Sequence, residues 1–289
     1  MTAFLLRLRR LLLYAGLTLP LMPVQALLLL VGSPLAERLP RAYHRLAGRI
    51  LGFDTTVIGT ASALRPTLFV ANHTSYVDIE ILGGVLDASF VAKSEVKRWP
   101  LFGWLARLQR TVFVDRRANT AHQQRDAIVE RLREGGRLIL FPEATSNDGT
   151  RVLPFKSALF AAVHGAHLEH PITVQPVSIA YVTLDGMPIG RFYRPFFAWY
   201  GDMDMASHLW AMVGLGRVGV TVEFHAPVSI AEFPTRKALA EYCWRVVSAG
   251  VASAISGRPQ PIKATGAVLP PPILPEPAPA VAAEAAAGS

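Results

Sequence analysis

A long uncharged stretch near the N-terminus limits most strongly what this chain can fold into. From Leu11 to Gly32 the sequence carries no charged residue, and as an α-helix this run would be roughly 33 Å long, enough to cross a bilayer core. Pro20 and Pro23 interrupt the run, which favours a kink. Arginines lie on both sides, so the positive-inside rule gives no direction for a single crossing. We therefore predict that residues 1–50 form a membrane-associated helical segment that re-enters on one face rather than spanning the bilayer. The flanking arginines are Arg7, Arg9, Arg10, Arg38, Arg41, Arg45 and Arg49.

The composition favours a lipid surface as partner. The chain has 289 residues, 51% of them hydrophobic, and a formal net charge of +8, so it is more apolar than most soluble proteins and attracted to anions. No zinc-finger spacing, RNA-binding signature or basic heptad is present, so nucleic acid is not expected as a partner. The single cysteine, Cys243, excludes an intrachain disulfide, and its apolar helical surroundings are typical of a core position.

From Leu51 onward, short β-rich runs alternate with helical stretches. This alternation predicts an α/β fold with a single mixed sheet flanked by helices, in one domain over residues 51–256. Residues 257–289 are rich in Pro and Ala, which predicts a disordered tail. The predicted strands are Thr67–Ala71, Ser89–Ala92, Thr111–Val114, Arg137–Phe141, Ile172–Val182 and Gly219–Phe224. The predicted helices are Tyr76–Leu86, Leu101–Leu108, Thr120–Glu134, Lys156–Gly165 and Thr235–Ser253.

The stretch Phe69–Asp78, with the sequence F-V-A-N-H-T-S-Y-V-D, joins a predicted strand to a predicted helix. His73 and Asp78 are five residues apart, a spacing that puts two side chains on different faces of a continuous helix. They can meet only if His73 precedes the helix and Asp78 lies in its first turn. The carboxylate would then fix the imidazole tautomer and leave the other ring nitrogen as a base for a substrate hydroxyl.

Two structural interpretations compete with this one. Ser75 followed three residues later by Asp78 is also a helix-start pattern, with Ser75 as the cap and Asp78 near the positive end of the helix. In addition, Asn72-His73-Thr74 matches the acceptor pattern for N-glycosylation. The His-Asp spacing alone therefore leaves both a catalytic and a purely structural role open.

Two later stretches place polar residues just after predicted strands. Val114 is followed by Asp115, Arg116 and Arg117, at the sheet edge where α/β proteins usually bind ligands, although a solvated basic turn would look the same. The strand ending at Phe141 is followed by the loop P-E-A-T-S-N-D-G-T-R. Turn chemistry accounts for its Asn-Asp-Gly part. It does not account for Glu143 and Thr145 directly after a buried strand, where a polar pocket is expected.

Four motifs in this order resemble the glycerolipid acyltransferases of the lysophosphatidate, or PlsC-type, group. They are N-H-x-x-x-x-D from Asn72 to Asp78, F-x-D-R ending at Arg116, F-P-E-x-T from Phe141 to Thr145, and V-x-P-V from Val174 to Val177. The resemblance covers roughly Leu51 to Phe224 and implies transfer of a fatty acyl group from acyl-CoA or acyl carrier protein to a lysolipid hydroxyl. It also implies a place on the cytoplasmic face of a bacterial inner membrane, with no metal and no cofactor beyond the thioester co-substrate.

The resemblance assigns roles to individual residues. It implies that His73 is the general base, that Asp78 orients it, and that Arg116 binds the acceptor head group. Other positions of the motifs are implied to form the substrate-binding site. They are Asn72, Glu143 and Thr145.

The third motif departs from the family pattern F-P-E-G-T-R-S. Ala144 replaces the glycine, and its methyl group disfavours a positive φ, while Ser146 replaces the arginine and so removes a bidentate phosphate ligand. Arg151 or Lys156 would have to substitute. Lysophosphatidate, giving phosphatidic acid, is the first acceptor we expect. The D-G-x-R-V-L-P-F continuation from Asp148 also resembles the lyso-ornithine lipid branch, which is the alternative. A membrane-bound lipid-binding protein without catalysis is the alternative of another class.

Overall fold

A computed structural model describes residues 3–114, 121–164 and 171–257, with the backbone alone for residues 121–126. Within these residues, helices flank a mixed sheet, which confirms the predicted α/β fold. The helices are α1 (Ala3–Leu30), α2 (Leu35–Leu51), α3 (Val77–Val85), α4 (Phe102–Leu108), α5 (Ala121–Arg133), α6 (Ala161–His164), α7 (Met205–Met212) and α8 (Arg236–Ser256). The strands are β1 (Phe53–Ile58), β2 (Thr67–Ala71), β3 (Ser89–Lys93), β4 (Val112–Val114), β5 (Arg137–Leu140), β6 (Thr173–Leu184), β7 (Met187–Pro188), β8 (Val218–Phe224) and β9 (Val228–Ser229).

The sheet places the end of β2 at the centre of the molecule. Its strand order is β1-β8-β6-β2-β5-β3-β4, and β7 and β9 both pair with β6. β2 runs parallel to β5 and to β6, and all five of its residues are buried, as expected for a strand covered on both faces. The pairing of β6 with β8 is antiparallel, which makes the sheet mixed. One apolar core lies on each face of the sheet.

The N-terminal segment is a helical hairpin rather than a helix broken at its prolines. α1 continues from Ala3 to Leu30 with Pro20 and Pro23 inside it, so the prolines do not end the helix. Proline removes only one backbone donor, and the rest of a long helix can still form. The chain turns instead after α1, at Gly32, whose φ of 65° is left-handed, and α2 folds back against α1.

α1 shows the reverse of the usual amphipathic pattern. Its buried residues are Arg10, Thr18 and Gln25, all of them polar. Apart from Arg9, its exposed residues are apolar. By length and composition α1 could cross a membrane, with a mean hydropathy of 1.7 in its best window. A helix with this distribution favours lipid at its outer face. The exposed apolar side chains of α1 include Phe4, Leu5, Leu8, Leu12, Leu13, Leu19, Val24, Leu27 and Leu30.

Four elements were not predicted, namely β1, β7, β9 and α7, and one helix is shorter than predicted. β1 carries exposed polar residues and, within the described residues, pairs with β8 alone. α7 is a short helix of eight residues. The predicted helix from Lys156 is a 3₁₀ turn followed by the short helix α6. Cys243 is fully buried as predicted. The predicted tail lies outside the described residues beyond Gly257, and the domain boundary near residue 50 stays a prediction.

Candidate active site

The turn between β2 and α3 brings His73 and Asp78 together. β2 ends at Ala71 and α3 begins at Val77, so His73 lies before the helix and Asp78 lies in its first turn. Nδ1 of His73 is 2.9 Å from Oδ2 of Asp78. The contact that the spacing predicts is therefore present.

Asp78 is the centre of a hydrogen-bonded turn. Its carboxylate is fully buried, and Oδ2 also accepts hydrogen bonds from the backbone N–H groups of Thr74 at 2.7 Å and Ser75 at 2.9 Å. Oδ1 accepts a hydrogen bond of 2.7 Å from the Tyr181 hydroxyl. The Ser75 hydroxyl has no partner within the described chain, so Ser75 is not the helix cap. Asp78 itself binds the free N–H groups before the helix, and it orients His73 with the same oxygen.

The imidazole of His73 is supported on one side and open on the other. Its ring stacks on Phe141, with 4.2 Å between centroids and 21° between planes. The side chain is 23% exposed and lies in the wall of a cavity. Because Asp78 engages Nδ1, Nε2 is the nitrogen that can take a proton from a ligand.

The cavity is large, and most of its lining is apolar. Its volume is about 740 Å³. α1 forms one wall from Leu11 to Gln25, a length of roughly 21 Å, and residues after β3 and in α4 form another. A long apolar ligand would therefore extend along α1 with its reactive end near His73. Apolar residues that line the cavity include Leu21, Met22, Phe90, Leu105, Trp199 and Leu209.

Glu143 supports the backbone of the site. Its carboxylate accepts hydrogen bonds from the His73 N–H at 2.7 Å, the Leu153 N–H at 2.7 Å and the Asn147 amide at 2.6 Å. Burial raises the pKa of the Glu143 carboxyl to about 7, against the lowering effect of these hydrogen bonds and of His73. The side chain is 1% exposed. Its oxygens are thus occupied by protein groups, which gives Glu143 a positioning role and no direct access to the acceptor.

Asn72 ties β2 to β6. Its amide donates to the Ile179 carbonyl at 2.9 Å and accepts from the Ile179 N–H at 2.8 Å. The side chain is buried, so the structure supports neither substrate binding by Asn72 nor the glycosylation interpretation. Both would need an accessible amide.

The remaining predicted binding residues lie apart from one another. Thr145 is exposed and lines the cavity beside His73. Arg151 and Lys156 are exposed and are not among the residues that line the cavity. Ser146, at the position of the missing arginine, donates its hydroxyl to the Trp199 carbonyl. Arg116 lies outside the described residues, so its predicted role is not placed.

Ala144 adopts a backbone conformation that favours glycine. Its φ is 65°, in the left-handed region that costs an L-residue with a β-carbon roughly 1–2 kcal/mol. The turn after β5 therefore keeps a positive φ in spite of the methyl group. This turn holds Phe141 beneath the ring of His73.

Two side chains were not predicted, one that bonds Asp78 and one that lines the cavity. Tyr181 bonds Asp78 from β6, and no local pattern marks a residue that acts from another strand. Lys93 ends β3 and lines the cavity. Its position just after a predicted strand is the same signal that pointed to Arg116 and Glu143.

Comparisons with known proteins identify the chain. Residues 54–180 match the family model described as Acyltransferase. A lyso-ornithine lipid O-acyltransferase of Brucella abortus is 44% identical over 85% of this chain and 94% of that protein. The enzyme of the same name from Rhizobium meliloti is 41% identical over 83% of this chain and 84% of that protein. A 1-acyl-sn-glycerol-3-phosphate acyltransferase of Neisseria gonorrhoeae is 32% identical over 64% of this chain and 69% of that protein.

A solved structure gives the same result for the fold. The crystal structure of the 1-acyl-sn-glycerophosphate acyltransferase PlsC from Thermotoga maritima matches with a TM-score of 0.56 and 25% identity, over 75% of this chain and 78% of that one. Together with the sequence relatives, this match agrees with the resemblance carried by the four motifs. The chain belongs to the PlsC-type acyltransferase family and is a lysolipid acyltransferase.

Proposed function

We propose that this enzyme acylates the hydroxyl of lyso-ornithine lipid. The observation that carries the proposal is the higher identity and longer overlap with the lyso-ornithine lipid enzymes named above than with the lysophosphatidate enzyme. This reverses the order of the two acceptors expected from the motifs. The departure at Ser146 supports the same choice, because its hydroxyl is bonded to Trp199 and it supplies no guanidinium for a phosphate.

The reaction requires no covalent enzyme intermediate. Nε2 of His73 accepts the proton of the acceptor hydroxyl as its oxygen attacks the thioester carbonyl carbon. The resulting tetrahedral intermediate collapses, the carbon–sulfur bond breaks, and the leaving thiolate takes the proton from the imidazolium. Asp78 holds the imidazole tautomer and stabilises the imidazolium between these steps.

The cavity and the loop after β5 divide the substrate between them. The apolar lining along α1 suits an acyl chain, while the head group would lie near Thr145 and the following loop. This loop carries both signs of charge. Burial raises the pKa of the Asp148 carboxyl, but hydrogen bonds from Thr150 and the charges of Arg151 and Arg191 lower it overall. Mixed charge suits ornithine, which carries an ammonium and a carboxylate group, better than it suits a phosphate.

The proposed location is the cytoplasmic face of the inner membrane, where acyl-CoA or acyl carrier protein delivers the thioester. The outward apolar face of α1 supports this placement. Membrane flotation of the full chain in low salt tests it, with a chain lacking residues 1–45 as the comparison. Recovery of the full chain in the soluble fraction would contradict the placement.

The decisive experiment supplies the purified protein with a mixed pool of lysolipids and acyl thioesters and identifies the products by mass spectrometry. We expect diacylated ornithine lipid, with no product from the matched His73→Ala protein. Phosphatidic acid as the main product would restore lysophosphatidate as the acceptor. Absence of every product, with the protein folded, would favour the non-catalytic lipid-binding alternative.

The proposed head-group role of Arg116 has its own test. Arg116→Ala should lower kcat/KM for the acceptor by an amount equivalent to roughly 2–4 kcal/mol, with little change in donor KM. Arg117→Ala is the matched control. Equal losses in the two variants would point to general surface charge instead of a head-group contact.

A further inference from the structure

Tyr181 makes a hydrogen bond to Asp78 that has no role in the proton transfers proposed above. Its hydroxyl is 2.7 Å from Oδ1 of Asp78, whereas the other three donors to this carboxylate, from His73, Thr74 and Ser75, all reach Oδ2. Within the described residues, Tyr181 is therefore the one donor to Oδ1. It fixes the plane of the carboxylate, so that Oδ2 stays directed at the imidazole.

The fold fixes the direction of the Tyr181 hydroxyl. β6 pairs in parallel with β2 up to the contact of Ala71 with Val177 and then continues past the end of β2, which puts Tyr181 beside the start of α3. The register of β6 against β8 shifts just after Tyr181. The Tyr181 ring stacks on Phe197, with 5.9 Å between ring centroids, and makes an edge contact with Phe53, with 6.4 Å between centroids. A ring held on two sides can reorient little.

The phenol remains a donor under all working conditions. Burial, followed by the charge of the neighbouring Asp78 carboxylate, raises the pKa of the Tyr181 phenol far above its ordinary value. A donated hydrogen bond draws charge towards Oδ1 and leaves less of it for the imidazolium on the other side of the carboxylate. The strength of this bond therefore affects how firmly His73 holds its proton.

Two other titratable groups lie close to the pair. Burial raises the pKa of the Tyr76 phenol, so it stays neutral, and burial raises the pKa of Glu143, which bonds the His73 N–H, to about 7. No hydrogen bond within the described residues joins Glu143 to Tyr181 or Asp78, so a change at Tyr181 acts on the pair and leaves the Glu143 contacts in place.

We propose that Tyr181 is a positioning residue that sets the pH at which the His73–Asp78 pair works. The consequence for acyl transfer rests on the proposed function. The effect of Tyr181 on the protonation of the His73–Asp78 pair does not depend on that function. Without the phenol, the carboxylate would stabilise the imidazolium more strongly, and His73 would stay protonated, and so inactive as a base, up to a higher pH.

The test is Tyr181→Phe, with log kcat/KM measured against pH by lysolipid-dependent release of free thiol. We expect the midpoint of the acidic limb to rise by roughly 0.5–1 pH unit, with little change in acceptor KM. A loss that is the same at every pH, or an unchanged profile, would overturn the proposal, since a purely structural contact predicts one of these.

Tyr14→Phe is the matched control. The Tyr14 hydroxyl donates to Oε1 of Glu80 at 2.8 Å, so this change also removes a phenol from a carboxylate on α3. Glu80 bonds His44 instead of His73. Tyr14 lines the cavity, so the variant is compared by its acidic midpoint and not by its rate. This midpoint should stay where the wild-type enzyme has it. A shift equal to that of Tyr181→Phe would contradict a specific role for Tyr181.

A second measurement is independent of turnover and of the stability of the phenylalanine variant. Replacing Tyr181 with 3-fluorotyrosine keeps the ring and makes its hydroxyl a stronger donor, so the NMR titration midpoint of His73 should move to lower pH. The His73 resonance is assigned by its loss in His73→Ala. An unmoved midpoint would overturn the proposal. A moved midpoint in a protein without acyl transfer would support it and count against the proposed function alone.

Discussion

Two imidazole–carboxylate pairs lie beside the cavity, and α3 supplies the carboxylate of both. In one, Nδ1 of His73 lies 2.9 Å from Asp78; in the other, Nδ1 of His44 lies 2.6 Å from Glu80. The exposure of the partners differs. The His73 side chain is 23% exposed and Asp78 is fully buried, whereas His44 is 7% exposed and Glu80 is 15% exposed.

The hydrogen bonds that hold the carboxylate also differ between the two pairs. Asp78 is held by two backbone N–H groups and by Tyr181, which leaves the imidazole as the member that can meet a substrate. Glu80 accepts from Tyr14, which in turn accepts from Tyr43, so this second pair joins α1, α2 and α3. The comparison teaches that the surroundings of the carboxylate separate the two pairs. Where backbone N–H groups hold the carboxylate, the imidazole is left for the proposed role of base, whereas the other pair ties three helices together.

The largest expected effect separates the two imidazoles. His73→Ala should lower kcat by about 10²–10⁴-fold, because an alcohol is a weak nucleophile without a positioned base. His44→Ala should instead lower the free energy of unfolding by about 2 kcal/mol, since it leaves a partly buried carboxylate without its partner. Thiol release and thermal unfolding, both measured in detergent, check the two results. Near-normal turnover by a folded His73→Ala protein would rule out the dyad.

The two carboxylates give the second test. Asp78→Asn should lower kcat by about 10²–10⁴-fold, because the amide can stabilise the wrong tautomer and cannot stabilise the imidazolium, as in the serine proteases. Glu80→Gln removes the same charge from the same helix and should keep kcat within about tenfold. Equal losses in the two variants would mean that the charge of α3 matters more than the orientation of His73.

A third imidazole, without a carboxylate in hydrogen-bond range, sharpens the comparison. His225 bonds Ser178 through Nε2 at 2.6 Å, and Nδ1 is 3.7 Å from Glu223. Burial lowers the pKa of His225 to about 4 from an ordinary value of 6.5. Between these pH values the unfolded chain binds the His225 proton and the folded chain does not, so the contribution of His225 to stability is complete above pH 6.5 and falls as the pH is lowered towards 4.

The expected loss over that range is roughly 3 kcal/mol. Unfolding by denaturant at a series of pH values measures it, and His225→Gln should remove this part of the pH dependence. An identical slope in the variant would show that another group is responsible.

The smallest expected effect concerns Ala144, in the turn after β5 that holds Phe141 beneath His73. The second pair has no such turn, because His44 and Glu80 both lie in regular helices. Ala144 has a φ of 65°, so Ala144→Gly should stabilise the protein by about 1 kcal/mol. Ala249→Gly is the control, because Ala249 lies exposed inside α8, where glycine should cost about 1 kcal/mol. Thermal unfolding measures both. Destabilisation by both changes would mean that the turn is not strained.

Local sequence was sufficient to predict the parts of the site that lie within a few residues. The strand β2, the turn after it and the contact between His73 and Asp78 all follow from one twelve-residue stretch, Thr67 to Asp78. The hydrogen bond from Tyr181 to Asp78 joins residues 103 positions apart, and only the pairing of β6 with β2 brings them together. The exposure of Arg151 and Lys156 also depends on where the loop after β5 packs, which turn chemistry does not fix.

The orientation of α1 is predictable from the spacing of its polar residues. Arg10, Tyr14, Thr18 and Gln25 recur at spacings that share one helical face, and this face lies against the rest of the protein. The uncharged run suggested a membrane segment, but composition alone does not say which side of a helix points inward. The prolines lie inside the continuous helix and do not end it.

Because α1 is one wall of the cavity, its position decides how a lipid would reach His73. With the proposed membrane placement, an acyl chain could move sideways from the bilayer into the cavity without passing through water. Each methylene taken from lipid into water costs about 0.8 kcal/mol, so a route through solvent would cost about 8 kcal/mol for ten methylenes. A cavity wall that also contacts the membrane removes this free-energy barrier to entry of the lipid.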